Sequence, residues 1–129
     1  IVLSHTIQTP IYQQIYDQIS SQIMNGDLKA EQLLPSIRTA AKELRVSIIT
    51  IKKAWEMLET SGFIYTIQGK GSYVREYSKI DLEEKKKATI KQALKEAMKT
   101  MSTYDVKKDE IITMISELFD ELNHPIDKD

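Results

Sequence analysis

Cysteine is absent from this chain of 129 residues, so disulfides and thiolate zinc sites are closed to it, and a reducing cytoplasm suits it. Only two histidines occur, His5 and His124, near opposite ends. That leaves no His-rich metal cluster and no nucleophilic triad. No paired-residue catalytic motif or phosphate loop is present either, so no enzyme is expected, and no catalytic residue, metal or cofactor is assigned. Long hydrophobic runs are missing too. The run Val46 to Ile51 is interrupted by Ser47 and Thr50, far short of the ~20 apolar residues that span a bilayer. The start, Ile1-Val2-Leu3-Ser4-His5, lacks the basic and apolar regions of a signal peptide. A cytoplasmic protein without membrane contact is expected. Glycine and proline are few, four and three, and there is no repeat or low-complexity stretch.

What is present fits a soluble globular protein: 41% hydrophobic and 29% charged residues. The net charge of −1 says little, but its distribution says more. Between Arg38 and Lys53 the cations Arg38, Lys42, Arg45, Lys52 and Lys53 face one acid, Glu43. Residues 79–129 carry ten lysines against twelve acids. A locally basic segment on a nearly neutral chain attracts a polyanion without making the whole protein adhesive.

Apolar periodicity organises the chain. Ile11, Ile15, Ile19 and Ile23 recur every fourth residue, which predicts a helix from Pro10, capped by Thr9, to about Asn25. Asn25-Gly26-Asp27 stops it, and Leu28 to Leu34 reads as a short connection. Ser36 caps a second helix with Ile37, Ala40, Ala41 and Leu44 inward. After the tight turn Arg45-Val46, Ser47 caps a third helix running to about Ser61, with Ile51, Ala54, Trp55 and Leu58 as its buried stripe. Gly62 ends it. Phe63 to Ile67 and Ser72 to Arg75 read as two strands around the turn Gln68-Gly69-Lys70-Gly71. Tyr12 and Tyr16 read as packing residues at the domain edge.

The composition then changes. Asp81 is expected to cap a helix from Leu82 to about Met101, with Lys85-Lys86-Lys87 on a solvated face. Asp105 is expected to cap a last helix, which Pro125 closes. Two helices joined by a tight turn and followed by a hairpin make a winged helix-turn-helix. The fold class is therefore mainly α with a small β-hairpin wing. The winged helix-turn-helix occupies 1–78, and a two-helix C-terminal dimerisation domain occupies 79–129. Two lone helices cannot bury both their stripes within so small a tail. Ile90, Leu94 and Met98 of the first and Ile111, Ile112, Ile115, Leu118 and Phe119 of the second are thus assigned to a dimer seam, although internal core would also account for part of them.

A winged helix-turn-helix inserts its third helix into the major groove. Ser47, Ile49, Thr50, Lys52 and Lys53 are expected at or beside that groove. Ser47 and the helix N-terminus suit a phosphate, and Thr50 offers a hydroxyl to a base edge or a methyl to thymine. Arg38, in the first turn of the second helix, suits a guanine edge or a phosphate. The wing tip Gln68-Gly69-Lys70 is expected near the minor groove.

The stretches Pro10 to Ile15, Leu34-Pro35-Ser36-Ile37-Arg38, Leu44-Arg45-Val46-Ser47, Thr50 to Trp55, Leu58-Glu59, Gly62-Phe63-Ile64 and Gln68 to Val74, in this order and spacing, resemble the DNA-binding domain of GntR-family transcription regulators. The resemblance covers about residues 10–75 and implies DNA contacts at Arg38, Ser47, Thr50, Lys52, Gln68 and Gly69. Two departures stand out. Ile48 replaces a polar or basic residue, often arginine, and offers only apolar contact, such as to a thymine methyl. Ala30-Glu31 replaces a common Pro-Gly in the connection. The short tail is similar to the YtrA branch, which implies a homodimer on a palindromic duplex operator and repression of transport operons, often for ABC transporters. A small-molecule effector is left open. The competing expectation is a protein-interaction adaptor that docks through Ile48 and Ile49.

Overall fold

The computed structural model describes residues 1–124. The elements run α1 (Ile11–Met24), α2 (Ile37–Leu44), α3 (Ile48–Thr60), β1 (Ile64–Ile67), β2 (Gly71–Val74), α4 (Lys79–Met101) and α5 (Lys108–Asn123). Two compact units result, Ile1–Lys87 and Ala88 onward, so α4 begins in the first and ends in the second. Among the described residues no helix is long and apolar enough to cross a membrane.

The first unit is organised around α3. Its stripe Ile51, Ala54, Trp55 and Leu58 is buried and packs against α1, α2 and β1. From α1 come Ile15, Ile19 and Ile23, the four-residue repeat of the sequence, while Ile11 is half-buried. Ala40 and Ala41 of α2 are buried and small, which lets α2 approach closely. Phe63, Ile64 and Val74 close the core from the sheet.

Helix ends differ in detail from expectation. Pro10, not Thr9, occupies the N-cap position of α1, and its carbonyl accepts from the Gln13 and Gln14 N–H groups at 3.1 Å each. Ser36 and Ser47 cap α2 and α3 as expected, accepting from Thr39 and Thr50 N–H at 3.1 and 3.0 Å. The α4 helix starts earlier than Asp81: the Ser78 hydroxyl accepts from Asp81 N–H at 3.1 Å, so serine does the capping. The α5 helix starts later than Asp105, at Lys108, where the Glu110 carboxylate accepts the Lys107 N–H at 2.9 Å. Pro125, expected to close α5, lies outside the described residues.

The wing is larger than a hairpin. β1 and β2 pair antiparallel, with Tyr65 opposite Tyr73 and Thr66 opposite Ser72. The segment read as a plain connection then pairs with β2 on its other side. Glu31 N–H donates to Val74 O at 2.7 Å, Val74 N–H to Gln32 O at 2.9 Å, and Leu34 N–H to Ser72 O at 2.8 Å. These bonds fix the entry to α2 against the wing. The N-terminal arm is held too. Gln14, buried on α1, accepts from Ser4 N–H at 2.9 Å and donates to the Ser4 and Thr9 carbonyls at 2.8 and 2.9 Å. Gln18 accepts from Val2 N–H at 2.9 Å and donates to Val2 O.

Lys85 is not on a solvated face. Its ammonium donates to Ser61 O at 3.1 Å, at the C-terminus of α3, and lies 4.7 Å from the Phe63 ring centre. A cation there complements the helix dipole. The Tyr77 hydroxyl donates to the neighbouring Gly62 O, and burial raises its pKa above the ordinary tyrosine value.

In the second unit no residue of α5 and none of the α4 turns is buried. The two helices do not pack along their lengths. Ile90, Leu94, Met98, Ile112, Ile115, Leu118 and Phe119 are exposed, and Ile111 is half-buried.

Candidate nucleic-acid interface

The basic segment and the wing tip lie on three elements of the first unit. The first is the start of α2. Arg38 stands one residue inside the helix, exposed, beyond the cap formed by Ser36. The second is the first turn of α3. The third is the wing tip, where Lys70 N–H donates to Ile67 O at 2.9 Å to close the turn. Gly69 sits in that turn at φ +83°, a conformation glycine adopts without steric cost.

Arg38, Gln68, Gly69 and Lys70 line one open cleft of about 540 Å³, with Ser36, Trp55 and Thr66 along its floor and walls. Residues that are thirty positions apart in sequence thus share a concave surface. Gly71, which lines the cleft, has φ +125°, a conformation that side chains with a Cβ rarely adopt. Among the described residues none of Arg38, Lys52 and Lys70 takes part in an ion pair; the pairs there are Lys86 with Glu83 and Lys99 with Glu96. These cations are free to meet an external anion.

The first turn of α3 presents a surprise in polarity. Ser47 Oγ lies 2.8 Å from Thr50 Oγ1, and Thr50 is half-buried. Both hydroxyls are occupied in the cap, which limits but does not abolish their capacity for a further partner, since each hydroxyl has one donor and two acceptor sites. What projects from this turn is apolar: Ile49 is 78% exposed and Ile48 is 43% exposed. On the next turn Lys52 is exposed. Lys53 is drawn to α1, its ammonium 4.1 Å from the centre of the Tyr12 ring. Lys53 and Tyr12 form a cation–π pair across α1 and α3, which gives Lys53 a packing role beside any ligand role. Tyr16 donates to Ser61 Oγ at 2.8 Å and meets Phe63 edge-on at 6.2 Å between ring centres, so both tyrosines pack as expected.

Two features of the site were not visible in the residue pattern. One is the backbone at Arg45, which ends α2 in the left-handed conformation at φ 57° and ψ 47°. The other is Glu31 at φ 68°, where the sequence departs from Pro-Gly. Its carboxylate accepts a hydrogen bond from Tyr65 OH, which raises the Tyr65 pKa. Tyr65 in turn stacks on Tyr73 at 5.6 Å, with the Arg75 guanidinium 5.5 Å from the Tyr65 ring. An Asn-Gly-like signal for left-handed backbone is missing at both positions, so neither was foreseeable.

Comparison with known proteins points the same way. The model for "Bacterial regulatory proteins, gntR family" matches residues 11–74. The chain is 39% identical over 88 residues, 68% of each chain, to the HTH-type transcriptional repressor YtrA of Bacillus subtilis (strain 168). Longer curated relatives are matched over 28% of their own length or less. Among solved structures, a GntR family transcriptional regulator from Listeria monocytogenes superposes with a TM-score of 0.69 at 33% identity, covering 85% of this chain and 96% of that one. The DNA-binding domain of AraR in complex with operator ORX1 gives a TM-score of 0.52 at 30% identity, covering 57% of this chain and 92% of that one.

Proposed function

The chain belongs to the gntR family of bacterial regulatory proteins, and from that premise we propose that it is a cytoplasmic homodimeric repressor that reads a palindromic operator of a transport operon of the ABC type. The observation that carries the DNA reading is the cleft that joins Arg38, at the N-terminus of α2, to Gln68, Gly69 and Lys70 of the wing. In this reading the domain 1–78 binds DNA and 79–129 dimerises.

Each contact has a chemical task. Ile48 and Ile49 enter the major groove and meet thymine methyl groups, so A·T pairs are favoured at the positions they touch. Thr50 and Ser47, tied together in the cap, present the helix N-terminus to a phosphate. Arg38 and Lys52 hold the backbone or a guanine edge, and Lys53 adds charge from its seat on Tyr12. Gln68, Gly69 and Lys70 approach the minor groove. The stripes of α4 and α5, with Ile90, Leu94, Met98, Ile112, Ile115, Leu118 and Phe119 exposed and Ile111 half-buried, support a seam with a second copy, because neither helix covers the other. Repression follows by occluding the promoter.

The exposure of Ile48 and Ile49 also favours a second reading, a winged-helix adaptor that docks proteins. Fluorescence anisotropy separates the two. Duplex DNA from upstream of the chain's own gene is titrated at several salt concentrations, with a scrambled duplex as control. Tight, selective binding that weakens steeply with salt is expected. No affinity for either duplex at low salt would favour the adaptor.

A further inference from the structure

Among the described residues two that are not glycine have left-handed backbone, Glu31 at φ 68° and Arg45 at φ 57°. A side chain with a Cβ is disfavoured there, and glycine or asparagine would serve the turn better. For Glu31 an internal compensation exists, since its carboxylate takes the Tyr65 hydroxyl hydrogen bond. Arg45 has none. Its backbone N–H closes the end of α2 on Lys42 O at 3.3 Å, and the following Val46 N–H reaches Ala41 O at 3.0 Å. That bonding needs only a left-handed residue, not an arginine. Among the described residues no hydrogen bond, ion pair or ring contact engages the Arg45 guanidinium, and the side chain is exposed.

Its position gives the missing partner. Arg45 precedes Ser47, the cap of α3, by two residues, a Cα separation of about 7 Å at most. The first turn of a recognition helix lies in a groove about 12 Å wide, bounded by two phosphate backbones. A long cation held just outside that turn stands at the groove's edge. The left-handed backbone turns its side chain away from the α2 helical path, and Ile48 and Ile49 in the turn itself carry no charge to hold the backbone. We propose that Arg45 is an additional DNA-binding residue, a clamp on a phosphate flanking the bases that α3 reads, retained at the cost of a strained turn. This assignment rests on the DNA-binding reading above and deepens it.

The test sets stability against binding. Arg45→Asn removes the cation and suits the left-handed backbone; Arg45→Lys keeps the cation and the strain. Thermal melting and anisotropy on the fluorescein-labelled upstream duplex are measured for both beside the wild-type chain. Arg45→Asn is expected to melt about 2–6 °C higher. It is also expected to bind about tenfold more weakly, with a plot of log affinity against log salt shallower by about one phosphate contact. Arg45→Lys should keep the wild-type salt slope. Wild-type affinity and slope in Arg45→Asn, with the wild-type chain binding normally, would overturn the Arg45 assignment alone. A wild-type chain without salt-dependent affinity for the duplex would overturn the DNA-binding reading together with it.

Discussion

The first unit and the tail use similar residues to opposite ends. Ile15, Ile51, Leu58 and Ile64 of the first unit are fully buried by partners from the same chain. Ile112, Leu118 and Phe119 of the tail are 53%, 54% and 65% exposed. Both regions have amphipathic helices, so the difference does not lie in local pattern. It lies in how many faces converge. Around α3, three neighbours close on one stripe. In the second unit no residue of α4 or α5 is buried. Burying a side chain of this size is worth about 1.5–3 kcal/mol, so the tail leaves a large stabilisation unclaimed until something covers it. The first unit buries its own stripes, and those of the tail lie exposed in the single chain.

The largest test of that contrast is to charge the tail. Ile112→Asp with Ile115→Asp should convert a dimer to monomers in light scattering, while the first unit keeps its melting behaviour. Affinity for a palindromic duplex should fall by about 100-fold or more, since two linked half-site contacts become one. A surviving dimer would break the comparison by placing the seam elsewhere. Next in size, Leu58→Ala should cost the first unit about 2–5 kcal/mol in denaturant unfolding, because a closed core relaxes only partly around a cavity. That loss should not depend on protein concentration, whereas the tail's stability should, as association demands.

A smaller effect sharpens the contrast from the ligand side. Arg38→Ala should weaken duplex binding by about 1–3 kcal/mol without changing the melting temperature, since the side chain contacts nothing in the core. Lys70→Ala should weaken it less and equally for different sequences if it meets phosphate. The smallest effect is a pH dependence. Burial raises the Tyr77 pKa in the folded state. A neutral phenol is therefore favoured by folding, and its contribution is complete below the ordinary tyrosine value of about 10. It disappears as pH rises through the raised folded value. Near-ultraviolet absorbance of wild type against Tyr77→Phe should show the lost phenol titrating late, and alkaline unfolding should begin at higher pH in the variant.

Much of this was legible in the residues. Four-residue spacing of isoleucines placed α1, and the serine caps Ser36 and Ser47 placed α2 and α3 to the residue. Two glycines between β-branched and aromatic runs placed the wing. The pairing of Glu31 to Leu34 with β2 was not legible, because a segment so short has no period of its own. Neither was the arm held by Gln14 and Gln18, nor Lys85 on Ser61 and Phe63, nor Lys53 on Tyr12. Each joins side chains to elements far along the chain, and a lysine in a charged run looks the same whether solvated or stacked. Within the candidate site, the identities of the cations were readable. That Arg38 and the wing share a cleft, while Thr50 turns to Ser47, was not.

The sequence by itself determined the order of elements, the stripes that α1, α2 and α3 bury and the identities of the cations on them, since helix periodicity, caps and turn chemistry are local properties written in neighbouring residues. Only the tertiary structure decided which cations remain free, which polar groups are used up in the fold, and which apolar stripes find a partner. Those outcomes depend on distances between segments remote in sequence, and close packing sets such distances jointly rather than residue by residue.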